Sequence, residues 1–183
     1  MKRVALLLLG LIFSCLFLSC SKPMPKHGID VYLEASSKSG AFGSHQTIVM
    51  PVTGSTAKVI TMPILDIDAF TNVELKQMDY PQLGIYAQPG LRMRIKRDKV
   101  VKIYQASGEA LAEGAGQKRF FLIVDGNPIG YCRIWSQIRE DDLFFVIDSY
   151  KEGKELADEL AELRFTLNEY ILERREYMKE RGR

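Results

Sequence analysis

Cysteine and histidine are both scarce in this chain. Its 183 residues include three Cys, two His and a single Trp. Cys15 and Cys20 fall in and just after an N-terminal apolar stretch. If Cys20 is chemically occupied, Cys132 is left alone in the folded part, which excludes an intramolecular disulfide. His27 and His45 lie far apart in loop-like segments with no second Cys nearby, so no zinc-ligand spacing exists and no metal or cofactor is expected. An excess of positive charge is also missing. The 25 basic residues fall by two if Lys2 and Arg3 are removed, which equals the 23 acidic ones. A neutral chain is not built for phosphate backbones, so nucleic acid is not an expected partner. Beyond residue 18 no apolar run approaches the roughly 20 residues that a membrane helix needs.

The N-terminus carries a recognisable address. Lys2 and Arg3 precede an apolar run from Val4 to Leu18, and Ser19-Cys20-Ser21 follows. This is the pattern of a signal peptide over residues 1–19 ending in a lipoprotein cleavage site, with lipid expected on Cys20. Phe17 stands where such a site prefers Leu. Cys15 after Ser14 is a rival position, but it leaves a shorter apolar core; an uncleaved anchor helix is the competing reading. The expected location is the cell envelope, lipid-anchored on the periplasmic face. Ser21 in place of Asp favours the outer membrane under the enteric sorting rule. Residues 20–28, with Pro23, Pro25 and Gly28, read as a tether, and residues 29–183 as a single domain.

Within that domain Phe120 to Leu163 is the most regular stretch. Phe120–Val124, Ile129–Ile138 and Leu143–Ile147 are β-branched and aromatic runs punctuated by Asp125-Gly126-Asn127-Pro128 and by Glu140-Asp141-Asp142, the pattern of three strands. The middle run sorts into Ile129, Tyr131, Arg133, Trp135 and Gln137 on one side, and Gly130, Cys132, Ile134, Ser136 and Ile138 on the other. The second set is smaller and more apolar and is expected against a helix. Ser149 with Glu152 predicts a capping box at the start of a helix over residues 150–181, whose Leu156, Leu160, Leu163 and Leu167 form a packing stripe. Upstream, Ile29–Glu34, Thr47–Val52 and Lys58–Met62 read as strands, the last two joined at Thr53-Gly54-Ser55. Asn72–Gln77 pairs with Leu83–Ala87 across Asp79-Tyr80-Pro81-Gln82. Leu91 to Gln105 reads as a helix starting near Pro89, although Val100, Val101, Ile103 and Tyr104 suit a strand as well. Ala35–Ser44 reads as a loop and Gly108–Lys118 as a linker.

Chemical motifs are few. Ser55-Thr56-Ala57-Lys58 matches Ser-x-x-Lys without the partner motifs of penicillin-recognising enzymes. Gly114-Ala115-Gly116-Gln117-Lys118 precedes a strand rather than a helix, so it lacks the amides of a phosphate loop. Asp66 with Asp68, and Glu140 with Asp141 and Asp142, fall short of the six or more oxygens of a calcium loop. A catalytic role is therefore not expected, and Cys132 reads as a core residue.

Val124-Asp125-Gly126 followed by a strand, then Ser149-Tyr150-Lys151-Glu152-Gly153-Lys154-Glu155-Leu156-Ala157, resembles the periplasmic head subdomain of SecD, the membrane protein that assists the bacterial Sec translocase. There an apolar strand ends in Asp-Gly and a helix opens with Thr-x-Glu-Glu-Ala-x-x-Leu-Ala; here Ser149 stands for the Thr and Gly153 for the Ala. Ile64–Ala69, and the strand ending at Pro89-Gly90, extend the resemblance over about residues 61–163. It implies an α+β fold, an antiparallel sheet with two helices on one face. Together with the leader, it also implies a non-catalytic role: a lipid-anchored domain that binds another envelope protein or an extended polypeptide, with a link to protein export. The membrane-spanning helices on which SecD transport depends have no counterpart after the leader. A small enzyme or ligand-binding protein with a loop-built site is the alternative. Tyr131 and Trp135 on the sheet, and Leu167, Tyr170 and Ile171 on the helix, are the expected partner surface.

Overall fold

The computed structural model describes residues 24–35, 44–80 and 85–182. The leader, Cys20, most of the loop after Ala35 and most of the turn after Tyr80 lie outside them. The fold is α+β. Eight strands are present among the described residues: β1 (Ile29–Leu33), β2 (His45–Val49), β3 (Thr56–Ile60), β4 (Phe70–Tyr80), β5 (Ile85–Ile95), β6 (Arg119–Val124), β7 (Asn127–Arg133) and β8 (Asp142–Ile147). Two helices, α1 (Arg97–Leu111) and α2 (Gly153–Arg181), join them, and a single 3-10 turn spans Ile67–Ala69. Six strands form one curled antiparallel sheet in the order β1-β6-β7-β8-β5-β4, while β2 and β3 make a separate ribbon.

The pleat decides what each face meets. Phe120 and Leu122 of β6, Leu91, Met93 and Ile95 of β5, and Leu143 and Phe145 of β8 point toward both helices and form the main core with Ile103, Leu160, Leu167 and Ile171. Phe121 and Ile123 point the other way, where the ribbon covers them with Ile48, Met50, Ala57 and Val59. Asp148, buried at the end of β8, ties that ribbon down by accepting from the N–H groups of Val52 at 2.9 Å and Thr53 at 3.3 Å. The ribbon covers the β6 side of this face. Toward β4 and β5 the same face carries Glu74, Arg92, Arg94 and Asp142, with Arg92 paired to Asp142.

Four sequence expectations need correction. Leu91 to Gln105 is not one helix: β5 runs through Ile95, because Leu91, Met93 and Ile95 alternate with Arg92 and Arg94 at a period of two. The helix starts at Arg97 and continues to Leu111, through part of the expected linker. Pro89-Gly90 does not end the strand. Pro89 faces Gln77 across β4, and Gly90 lets β8 close in, since a Cβ there would lie 2.4 Å from the Phe145 carbonyl oxygen. β7 ends at Arg133, not Ile138; a bulge near Ile129 also turns that residue toward the main core rather than beside Tyr131. Finally, Ser149 forms no capping box. Its hydroxyl accepts from Lys151 N–H at 3.1 Å and bonds the Glu159 carboxylate at 2.6 Å, and α2 starts only at Gly153. Gly153 has a φ of +55°, which favours glycine where the resemblance has Ala.

Candidate functional site

The five residues expected to form one surface are dispersed. Leu167 and Ile171 are buried, with 0% and 2% of their surfaces exposed, so they belong to the core and not to a partner surface. β4 and the 3-10 turn follow α2 along its length and cover them. Tyr170 lies against the N-terminal segment, its ring stacked 3.9 Å from that of His27. His27 Nδ1 lies 2.9 Å from an oxygen of Asp125, and the other Asp125 oxygen accepts from Gly28 N–H at 2.8 Å. Burial would raise the Asp125 pKa, but these bonds and one from Tyr170 outweigh it and hold the carboxyl below its ordinary value. Tyr131 packs beneath the ribbon with Arg119 and Arg133 over its ring.

Trp135 has left the sheet. Its indole covers Gly116, where a Cβ would lie 2.1 Å from the ring, and Gly116 N–H donates to Ile134 C=O at 2.7 Å. The Gly-rich segment is thus a turn pinned to the chain after β7. Where β7 and β8 diverge, a cleft of about 350 Å³ opens beside Trp135, lined by Cys132, Arg133, Arg139 and Asp142. Burial pushes the Cys132 thiol up to about 12, only partly opposed by a hydrogen bond from Phe144 N–H. It is therefore a neutral thiol near pH 7, the wrong state for a nucleophile.

The structure assembles another site, which the sequence reading missed, where α2 meets the outer edge of the sheet. The two edges of the sheet are treated differently. On the β1 side Val31 N–H donates to Leu65 C=O at 2.8 Å and Val31 C=O accepts from Ile64 N–H at 2.7 Å, so main chain closes that edge. On the β4 side the closing groups are side chains. Asn168 Oδ1 accepts from Val73 N–H at 3.0 Å, and Asn168 Nδ2 donates to Val73 C=O at 2.9 Å. Arg175 donates to Thr71 C=O at 2.6 Å. Arg174 grips Asp68 through two bonds of 2.8 and 2.7 Å, which lower the Asp68 pKa and fasten this end of α2.

Past Val73 the cover stops. Leu75 and Phe165 are exposed over 43% and 60% of their surfaces. A groove of about 460 Å³ runs beside them, floored by Pro89 and Gly90 of β5 and walled by Leu75 and Gln77 of β4 and by Leu156, Ala157 and Leu160 of α2. A second hollow, lined by Asn72, Val73, Leu75, Arg164, Phe165 and Asn168, continues it along the edge. The one sequence signal for this site was Asn168, a carboxamide within the apolar stripe of α2. Its meaning depends on the register of β4, which the sequence does not show. Among the described residues no group of three His, Cys, Asp or Glu is placed to hold a metal ion, and no helix is long and apolar enough to cross a membrane.

No protein-family model and no curated protein matches this chain. Among solved structures it is similar to SecDF in its super-membrane-facing form, with a TM-score of 0.47, 12% identity, and cover of 79% of this chain and 19% of that one. It is likewise similar to a SecDF structure described as a membrane component that enhances protein export, with a TM-score of 0.46, 12% identity, and cover of 79% of this chain and 63% of that one. The chain thus spans less than two thirds of either.

Proposed function

We propose that this chain is a non-catalytic, lipid-anchored domain of the cell envelope that binds an extended polypeptide or another envelope protein, in a role linked to protein export. The observation that carries the binding reading is the uncovered apolar groove between β4, β5 and α2, with exposed Leu75 in its wall and exposed Phe165 in the hollow that continues it along the edge. Exposed apolar surface gathered around a concavity, rather than scattered singly, is the mark of an interaction site. The anchor rests on the leader from Lys2 to Cys20, and the export link on the SecD-like sequence segments. The neutral state of Cys132 argues against thiol chemistry in the Trp135 cleft, the place a loop-built enzyme would use.

Binding is tested with full-length protein in detergent and a reduced, alkylated polypeptide that cannot fold. Wild type should bind it, and Phe165→Ser should weaken binding by about tenfold or more, as for an aromatic anchor of an interface. A folded wild type that does not bind sinks the reading. The anchor is tested in cells: Cys20→Ser should leave the precursor unprocessed while Cys15→Ser is processed normally, and the reverse would move the lipid to Cys15.

A further inference from the structure

Asn168 marks what the edge of β4 is made to receive. Its carboxamide sits opposite Val73 as a peptide group of a neighbouring strand would, accepting from the N–H at 3.0 Å and donating to the C=O at 2.9 Å. In an antiparallel strand the N–H and C=O of one residue point the same way, and alternate residues point to alternate sides. Val73 therefore fixes the rest. The β4–β5 register is regular from Asn72 to Met78, so Leu75 and Gln77 also turn their main-chain groups away from β5. Pro89, which has no N–H, stands opposite Gln77, as such a pair allows. No side chain of α2 reaches these two residues as Asn168 reaches Val73.

We propose that Leu75 and Gln77 form a strand-addition site for an extended polypeptide, whose main chain continues on β4 the pairing that Asn168 makes at Val73. The proposal rests on the binding reading above and names its mode. The ligand class follows from both sides of the edge. Two N–H and two C=O groups in a row call for a peptide backbone. The side chains of Leu75 and Gln77 lie on the same face as buried Val73, beside the groove, so alternate residues of the guest should be apolar. Glu74 and Lys76 lie on the opposite face, where Glu74 meets Arg92 and Arg94, so the intervening guest residues should be polar. Asn168 blocks one end of the site. At the other, Asp79 turns inward to accept from Ala87 N–H at 2.6 Å, where Ala87 has a φ of +48° and the register shifts.

A second copy of the chain fits this edge poorly. A two-fold pairing centred on Gln77 sets Leu75 against Asp79 of the other copy, one centred on Lys76 sets the two Lys76 ammonium groups directly opposite each other, and one centred on Leu75 needs the Val73 groups that Asn168 already holds. A foreign strand carries neither restriction.

The test uses full-length protein in detergent and a short fluorescent peptide in which valine alternates with serine. Gln77→Pro removes an outward N–H without touching a bond to β5, so the melting temperature should hold while peptide binding falls by about tenfold or more. Because that variant could misfold, the same question is put to the peptide. N-methylation along one of its edges should abolish binding to wild type, and N-methylation along the other should not. Binding that survives Gln77→Pro and both methylated peptides, but is lost in Phe165→Ser, overturns strand addition and leaves the groove reading standing. Absence of binding to wild type overturns both. A dimer in sedimentation that Gln77→Pro dissociates would assign the edge to a second copy and overturn the proposal.

Discussion

Asn168 and Val73 are joined by two hydrogen bonds of 3.0 and 2.9 Å, a helix side chain pairing with a strand as another strand would. The same amide donates to Arg164 C=O at 2.9 Å, which fixes its orientation on α2. Asn168→Leu keeps the branching of the side chain and the helix but leaves the Val73 N–H and C=O without partners beneath α2. A buried group stripped of its partner costs about 1–3 kcal/mol. The urea midpoint of Asn168→Leu should drop accordingly, with no change in slope. An unchanged midpoint would mean that water replaces the amide and that the edge is open there.

Cys132 lies in the gap where β7 and β8 part, and burial holds its thiol neutral with a pKa pushed up to about 12. The thiolate is the reactive form, so at pH 8 only about one molecule in 10,000 carries it. Alkylation of Cys132 should be slow in the folded protein and fast in denaturant, read in protein carrying both Cys15→Ser and Cys20→Ser so that Cys132 is the one thiol left. Rapid alkylation of Cys132 without denaturant would show that burial does not hold the thiol neutral.

The parts of the fold legible in the sequence were those with one clear period. Phe120–Val124 and Leu143–Ile147 are too apolar and too short for anything but covered strands, and Leu156, Leu160, Leu163 and Leu167 mark one helix face. β5 was not legible because two readings share its residues. Leu91, Met93 and Ile95 alternate as a strand, yet Leu91, Ile95 and Arg92 with charged neighbours also suit the first turns of a helix, and Pro89 mimics a helix start. Burial of Met93, with Arg92 and Arg94 on the opposite face, settles it only in three dimensions. The site was hidden for a related reason. Leu75, Pro89 and Leu156 of the groove and Phe165 of the hollow beside it come from three elements, and nothing local in any of them signals the site. His27 read as an isolated loop residue until the fold set it between Tyr170 and Asp125.

That His27–Asp125–Tyr170 contact fastens the N-terminal segment to the β6–β7 turn and to α2, and it gives the fold an acid-sensitive joint. The native Asp125 pKa lies below the ordinary value of 3.8. A carboxylate with a depressed native pKa contributes stability that is present above its unfolded pKa and is lost as pH falls through the native one. Asp68, held low by Arg174, has the same sign. Asp30 has the opposite sign, its pKa raised by burial and by Asp66, so acid partly relieves it. Asp125→Asn should therefore be less stable than wild type at pH 7, and the gap should narrow below about pH 4. Urea unfolding across this range reads the gap; one that stays constant to about pH 2.5 would show that the charge of Asp125 contributes nothing.

The C-terminal half of α2 separates a core role from a surface role. By sequence alone it was expected to present Leu167, Tyr170 and Ile171 as part of a partner surface. It does not, because β4 runs for eleven residues beneath it and the 3-10 turn continues the support. Leu167, Ile171 and Tyr177 are buried, and Asn168, Arg174 and Arg175 bond to Val73, Asp68 and Thr71. Ending the chain at Leu163 removes all six. Three large side chains at about 1.5–3 kcal/mol each amount to about 4.5–9 kcal/mol before any polar contact is counted. Domains of this size are stable by about 5–15 kcal/mol in total, so the truncated protein should lack a cooperative thermal transition. Restoring the chain to Arg181 should bring the transition back, whereas restoring it to Tyr170 should not, because Ile171, Arg174 and Tyr177 would still be missing. A truncated protein that melts cooperatively at the wild-type temperature would place this half of the helix outside the core and return it to the surface role.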